Sequence, residues 1–277
     1  MANPTLPRTH LVRVRGLMVA GRSLEAVESL LLARRSFPRN PEINAFIRRL
    51  RPDFPEQLDT QHEDTAFAEI LRKIRPHSIL GKKELFALFT AARTVTADAQ
   101  EGAFVECGNA GGGSLLLLAL FSKIHAAGRH RVWAFDSFTG MPGPSQADTI
   151  PEDRPELIAR GAGPAITSEA DVKRLLKMFR TRSLVTVRPG LFEDTLPTSR
   201  NRIGPIALLH IDAPWHLSTK TALNHLYDRV IPGGIIQIEG HGAWPGCTKA
   251  VKAFIRRRQL NLPITRISES CISLKKT

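Results

Sequence analysis

Four acids stand at or beside the ends of short apolar runs: Glu106 in AFVEC, Asp136 after RVWAF, Asp212 after IALLHI and Glu239 closing GIIQIE. A carboxylate can hold a cation, accept hydroxyl hydrogen bonds or take a proton, so acids in such places could bind or react. Glycines crowd the stretch after Glu106, CGNAGGGS, residues 107–114. Bare backbone over Gly108–Gly113 lets a ligand approach closely. The helix expected from Gly113-Ser114 turns its positive end to the same place. Two histidines follow the later acids, His216 after Asp212 and His241 after Glu239. Imidazole titrates near neutrality and serves as a base or as a ligand for a borderline metal. His210 lies inside its run and reads as a hydrogen-bonded filler.

The glycine spacing sorts the ligand classes. A dinucleotide site wants G-x-G-x-x-G, but Gly108, Ala110 and Gly113 hold those places and the middle one fails. The loop E/D-x-G-x-x-x-G-x-S, used for S-adenosylmethionine, is met by Glu106, Gly108, Gly112 and Ser114. Asp136, with Ser137 next to it, comes 28 residues after Gly108, where a carboxylate accepts both ribose hydroxyls. On this reading main-chain amides of the turn reach the methionine end, and Glu106 anchors its ammonium group. The bland counterparts are a tight turn for the glycines and, for Asp212, a cap on a helix beginning near Ser218.

Strand candidates at 103–107, 131–135, 183–187, 206–211 and 234–239, with a final pair around 263–274, alternate with helical stretches. This predicts an α/β fold: a mostly parallel sheet with helices on both faces and the ligand at the carboxyl ends of the strands. Helices are expected over 64–74 and 81–98. Residues 1–55 differ, with apolar residues at helical spacing broken at Gly21-Arg22 and Pro38–Pro41. They read as a helical appendage of tetratricopeptide type or a plain hairpin, beside a main domain at 56–277, with 51–63 as linker. One such unit cannot bury both faces, so it should dock on the main domain, another subunit or a protein partner.

Composition narrows the classes. At 277 residues, 42% hydrophobic and 23% charged, the chain suits a soluble globular protein. The longest apolar run, Leu115–Phe121, is too short to span a bilayer. Arginines interrupt the start, which lacks a signal-peptide core, so a cytoplasmic protein is expected. Cys107, Cys247 and Cys271 have no metal-type spacing and read as reduced and structural. A net charge of +13 invites nucleic acid, but the excess is dispersed arginine with one tyrosine in the chain. A solvated surface is favoured over a nucleic-acid footprint, and attraction of an anionic substrate also fits.

In order along the chain stand FVECGNAGGGS, RVWAFDSFTGMP, RPGLFEDTLP, IALLHID and VIPGGIIQIEGHGAWPGCTKAVKAF. Together they resemble the TylF/macrocin O-methyltransferase family over roughly residues 80–275. DSF-x-G-x-P and GAWPGC-x-K-A-V are the most specific parts. The resemblance implies a class I (Rossmann-like) methyltransferase fold and S-adenosylmethionine as donor. It further implies a hydroxyl acceptor on a small molecule, often a natural product or its sugar, and commonly a magnesium ion. Carried over by position, Glu106, Gly108, Ser114 and Asp136 bind the cofactor, and Gly190 and Phe192 wall its adenine end. Asp212 would face cofactor, base and metal, and Glu239 the metal.

The sequence departs from the family pattern at the acceptor end. Ala213 and Pro214 stand where a glycine and a second aspartate are expected, His216 replaces a tyrosine, and Gly240 replaces a second acid. Three readings stay open. His216 or His241 serves as base, with Asp212 and Glu239 on a weaker or different metal. Alternatively, transfer is metal-free and works by alignment. In the third, catalysis is lost and the fold acts as a cofactor-binding or interaction protein. Residues 140–165, rich in proline and glycine, are expected to fold as a lid, and Trp215 and Trp244 to line the acceptor pocket or pack in the core or the lid.

Overall fold

The computed structural model describes residues 64–109, 111–148 and 167–277, together with Leu11, Val12, Val14, Leu30, Ala33, Phe37 and Asn40–Ile43. Most of the expected appendage, the linker and residues 149–165 of the expected lid lie outside the described residues. Leu11, Val14, Leu30, Ala33 and Ile43 are buried in a cluster of their own, with Phe37 packed on it. Asn40 Oδ1 accepts from the Ile43 amide at 3.0 Å, the N-cap contact expected of asparagine before a helical turn.

Element labels count from Thr65. Helix α1 (Thr65–Ile74) begins where Asp64 accepts from the amides of Ala66 and Phe67, and it buries Phe67, Ile70, Leu71 and Ile74. That i, i+3, i+4, i+7 stripe faces the core. Helix α2 (Lys82–Ala97) follows, then β1 (Ala103–Cys107), α3 (Gly113–His125) and β2 (Val132–Asp136). Helix α3 is buried throughout Gly113–Ser122, which its run of leucines requires. Next come α4 (Glu169–Met178), β3 (Val185–Pro189), α5 (Phe192–Ile203) and β4 (Ile206–Asp212). The chain ends with α6 (His216–Leu226), β5 (Val230–Glu239), α7 (Pro245–Arg257), β6 (Ile264–Arg266) and β7 (Cys271–Lys275). The third strand starts later than its apolar run suggests because Arg182–Leu184 forms a 3-10 turn first.

The seven strands form one sheet in the order β3-β2-β1-β4-β5-β7-β6. The first five are parallel, β7 runs antiparallel to β5, and β6 antiparallel to β7. One face packs against α1–α4 through residues such as Phe104, Leu208, Leu116 and Leu175. The other packs against α5–α7 through Val105, Leu209, Ile236, Leu223 and Val251. Strand order reverses between β1 and β4, so the crevice for a ligand opens where Cys107 and Asp212 end those strands. Among the described residues no helix is long and apolar enough to cross a membrane.

Candidate active site

Gly108 leaves β1 with φ +92°, and a Cβ there would stand 2.1 Å from the Asp212 carbonyl oxygen. Only glycine fits both that backbone and that approach. The loop therefore lies directly on the end of β4. Further along, a Cβ at Gly113 would overlap Ser78, and one at Gly111 would stand 2.4 Å from the His77 carbonyl oxygen. Gly112 adopts φ +81° and faces Val172 and Leu175 of α4.

Packing is a further reason for the bare backbone. The amide of Gly108 donates to the Phe135 carbonyl and that of Gly112 to the Asn109 carbonyl. Asn109 gives its amide to Asp136 Oδ2 at 2.7 Å. Those three amides are spent within the protein, and the glycines also serve close packing against β4 and the His77-Ser78 segment. Glu106 Oε2 and both atoms of the Asn109 carboxamide are buried without a partner. Buried polar atoms of this kind cost about 1–3 kcal/mol each, and three of them lie together at the strand switch.

Asp136 ends β2 half-buried, its Oδ1 accepting from the Phe138 amide at 2.8 Å. Two main-chain donors thus fix the carboxylate. Gly190 at the end of β3 donates its amide to the Asp136 carbonyl and so lies beside it. Ser137 closes the same turn, with its hydroxyl on the Gly140 carbonyl at 2.6 Å. Phe192, the first residue of α5, is buried in the core of that face with Phe135 and Leu196. Ser114 is buried in the first turn of α3.

The second half of the site is a polar row across the sheet. Glu106, His210 and Gln237 pair directly on β1, β4 and β5, so all three face α1–α4. His210 Nδ1 lies 2.9 Å from Glu106 Oε1, and Nε2 lies 3.6 Å from Glu239 Oε1. Gln237 Nε2 donates to Glu239 Oε1 at 2.8 Å, and the Cys271 thiol donates to the same oxygen at 3.1 Å. Burial alone would pull the His210 imidazole below its ordinary range. Its hydrogen bond to Glu106 and the charges of Glu106 and Glu239 outweigh that and push it up to about 10. His210 thus sits between two carboxylates that favour its protonated form, where the sequence suggested a filler. Its partners come from strands more than twenty residues away, so no local pattern shows the contact. Asn109 was missed likewise, for nothing in its neighbours tells its side chain from its backbone.

Asp212 is half-buried at the end of β4. Burial, then the charge of Glu239, raises its carboxyl to about 7 against the opposing charge of His210. It caps no helix: α6 starts at His216, whose amide donates to Asp148 Oδ1 at 2.7 Å. Asp148 belongs to the segment after β2, and Ser145 supplies two donors to its other oxygen. Trp215 is buried, donates its indole N–H to the Pro142 carbonyl and packs edge-on against Trp244. Residues 142–148 are therefore stitched to the start of α6. The imidazoles of His216 and His241 are both pulled down, chiefly by burial.

These donors do not fit a magnesium ion. Such a cation wants several hard oxygen ligands in near-octahedral array. Glu239 already spends Oε1 on Gln237 and Cys271, and Pro214 and Gly240 offer no side-chain oxygen. No group of three metal-binding side chains occurs among the described residues. The cofactor crevice, in contrast, fits S-adenosylmethionine: an unpaired carboxylate oxygen for an ammonium, a carboxamide, and a pinned acid at the next strand end.

The sheet order, the β1–β4 switch and these acids define a class I methyltransferase that uses S-adenosylmethionine. The chain belongs to the macrocin O-methyltransferase (TylF) family, whose profile matches residues 36–276, and it is an S-adenosylmethionine-dependent O-methyltransferase. It is 32% identical over 192 residues to the 8-demethyl-8-(2,3-dimethoxy-α-L-rhamnosyl)-tetracenomycin-C 4′-O-methyltransferase of Streptomyces olivaceus, covering 69% of this chain and 72% of that one. It is 30% identical over 203 residues to the demethyldecarbamoylnovobiocin O-methyltransferase of Streptomyces niveus, covering 70% and 75%. The solved O-methyltransferase NovP shares the fold, with a TM-score of 0.67 at 24% identity over 84% of this chain and 97% of that one.

Proposed function

We propose that this enzyme methylates a hydroxyl of a small, sugar-bearing natural product and that Asp212 takes the proton. The substrate class is supported by the two Streptomyces relatives: the name of one specifies a rhamnosyl tetracenomycin, that of the other demethyldecarbamoylnovobiocin. The observation that carries the site assignment is the set of buried, unpartnered atoms of Glu106 and Asn109 at the strand switch. Glu106 Oε2 would hold the ammonium of the cofactor, Asn109 its amino-acid end, and Asp136 the ribose.

S-adenosylmethionine supplies a methyl group on a sulfonium, so the protein has only to align an alcohol and remove its proton. Asp212, at the end of β4, would take the proton of an acceptor hydroxyl held there as that oxygen received the methyl group. A carboxyl near 7 is matched to that task at neutral pH. His216 and His241 lie on the first turn of α6 and in the turn after β5. They would line the acceptor side and leave the proton to Asp212. Calorimetric titration with S-adenosylhomocysteine, with and without Mg²⁺, tests the crevice. Saturable binding of equal strength in both is expected. No binding in either would overturn the assignment.

A further inference from the structure

The polar row has a feature the reaction does not require. Glu106 and His210 are both fully buried, deeper in the sheet than Asp212, which ends the strand. A buried carboxylate costs several kcal/mol unless its oxygens are paired. Here Oε1 is paired with His210 and Oε2 is not. The far nitrogen of the imidazole lies 3.6 Å from Glu239 Oε1, so the charge of that acid draws the ring's other edge away from Glu106. That oxygen is fixed by Gln237, which is anchored in turn to the Glu84 carbonyl of α2 at 3.1 Å. A chain of contacts from α2 through β5 and β4 thus sets the rotation of a carboxylate on β1.

We propose that His210 is a positioning residue for the cofactor: by holding Oε1 of Glu106 it reserves Oε2 for the ammonium of the cofactor's amino-acid tail. The proposal rests on the reading that this crevice takes S-adenosylmethionine. It gives the enzyme selectivity for a nucleoside carrying the tail over one that lacks it. An ammonium reaching Oε2 completes the pairing of the buried acid, a gain that a tail-less nucleoside forgoes.

Two substitutions separate position from mere presence. The carboxamide of His210→Asn falls near the place of the ring Nδ1 and can still donate to Glu106. That of His210→Gln reaches the place of Nε2, toward Glu239. Each is titrated calorimetrically with S-adenosylhomocysteine and with methylthioadenosine, which has the same nucleoside and no amino-acid tail. His210→Gln is expected to lose at least tenfold in affinity for S-adenosylhomocysteine. His210→Asn should stay within threefold, and methylthioadenosine should bind both within twofold of the unaltered protein. The tail-less ligand also reports that each variant is folded. Equal losses for both ligands, or no difference between the variants, would overturn the proposal. Failure of the unaltered protein to bind S-adenosylhomocysteine instead sinks the cofactor reading itself. Weakened binding in Glu106→Gln with none in His210→Gln removes His210 alone.

Discussion

Gly246 makes room for Asp148: a Cβ at Gly246 would stand 1.8 Å from Asp148 Oδ1 and 2.9 Å from the amide nitrogen of His216. A carboxylate from the segment after β2 therefore sits where α6 begins, pressed against the first turn of α7. Gly246→Ala must displace it and is expected to destabilise the fold by about 1–3 kcal/mol, the range for overpacking. Asp148→Ala frees the space while leaving the His216 amide without its acceptor. The double variant should then lose clearly less than the sum of the two, read from urea midpoints. Strict additivity would show that the two residues do not share this site.

Asp136 serves the fold as well as the ligand, because its two oxygens hold the amides of Asn109 and Phe138. Asp136→Ala is expected to weaken S-adenosylhomocysteine binding by about 1–3 kcal/mol and also to lower the unfolding midpoint. Asp136→Asn keeps one acceptor oxygen and should fall between. Affinity unchanged in Asp136→Ala would remove the ribose assignment.

The acids at the strand ends were legible because a run such as IALLHID shows by itself where a buried strand stops. Glu106, Asp136, Gly190, Asp212 and Glu239 all fall at carboxyl ends, as the alternation of strands and helices implied. What stayed hidden depends on register and packing between distant segments. That Glu106 faces His210, and His210 faces Gln237, follows from the pairing of β1, β4 and β5, which no single stretch encodes. The glycines were visible, yet the surfaces they admit, the Asp212 carbonyl and the His77-Ser78 backbone, were not. Asp148 gave no signal at all.

Charge pairing at His210 and burial at Asp212 should make stability fall as pH rises. The His210 proton is held more tightly in the folded state, up to about 10 against 6.5. Its contribution is complete below pH 6.5 and is lost toward pH 10. Asp212 acts in the same sense lower down, losing its contribution between about 4 and 7. Between pH 7 and 9 the unfolding free energy should therefore drop, by at most about 1.4 kcal/mol per pH unit for one proton. His210→Asn should flatten that slope. An unchanged slope would mean that His210 does not carry the proton.

Cys107, Cys247 and Cys271 are free and buried. Burial is the leading cause that raises all three thiols, Cys247 to about 12, so little thiolate exists at neutral pH. Reaction follows the thiolate and its access. None of the three should be alkylated by iodoacetamide at pH 8 in the folded protein, and all three should react in urea, as counted by mass spectrometry. Fast labelling of Cys271 without denaturant would contradict the packing of its thiol against Glu239.

The departures at Pro214 and Gly240 make the base the decisive chemical question. Gly240 takes φ +84° with Trp244 against it, since a Cβ there would lie 3.1 Å from the Trp244 ring. An acid restored at that position meets strain, so the lost carboxylate is built into the backbone and is not a single side-chain change. Asp212 is the carboxylate left at the switch, and Asp212→Asn keeps its shape while removing its ability to take a proton. Turnover should fall at least 100-fold at unchanged affinity for S-adenosylhomocysteine, consistent with the usual worth of a general base. The unaltered enzyme should gain activity as pH rises through about 7, because Asp212 must be ionised to act. His216→Ala and His241→Ala should each keep turnover within tenfold and mainly alter the acceptor KM. If His216→Ala instead abolishes turnover while Asp212→Asn retains it, the proton goes to the imidazole.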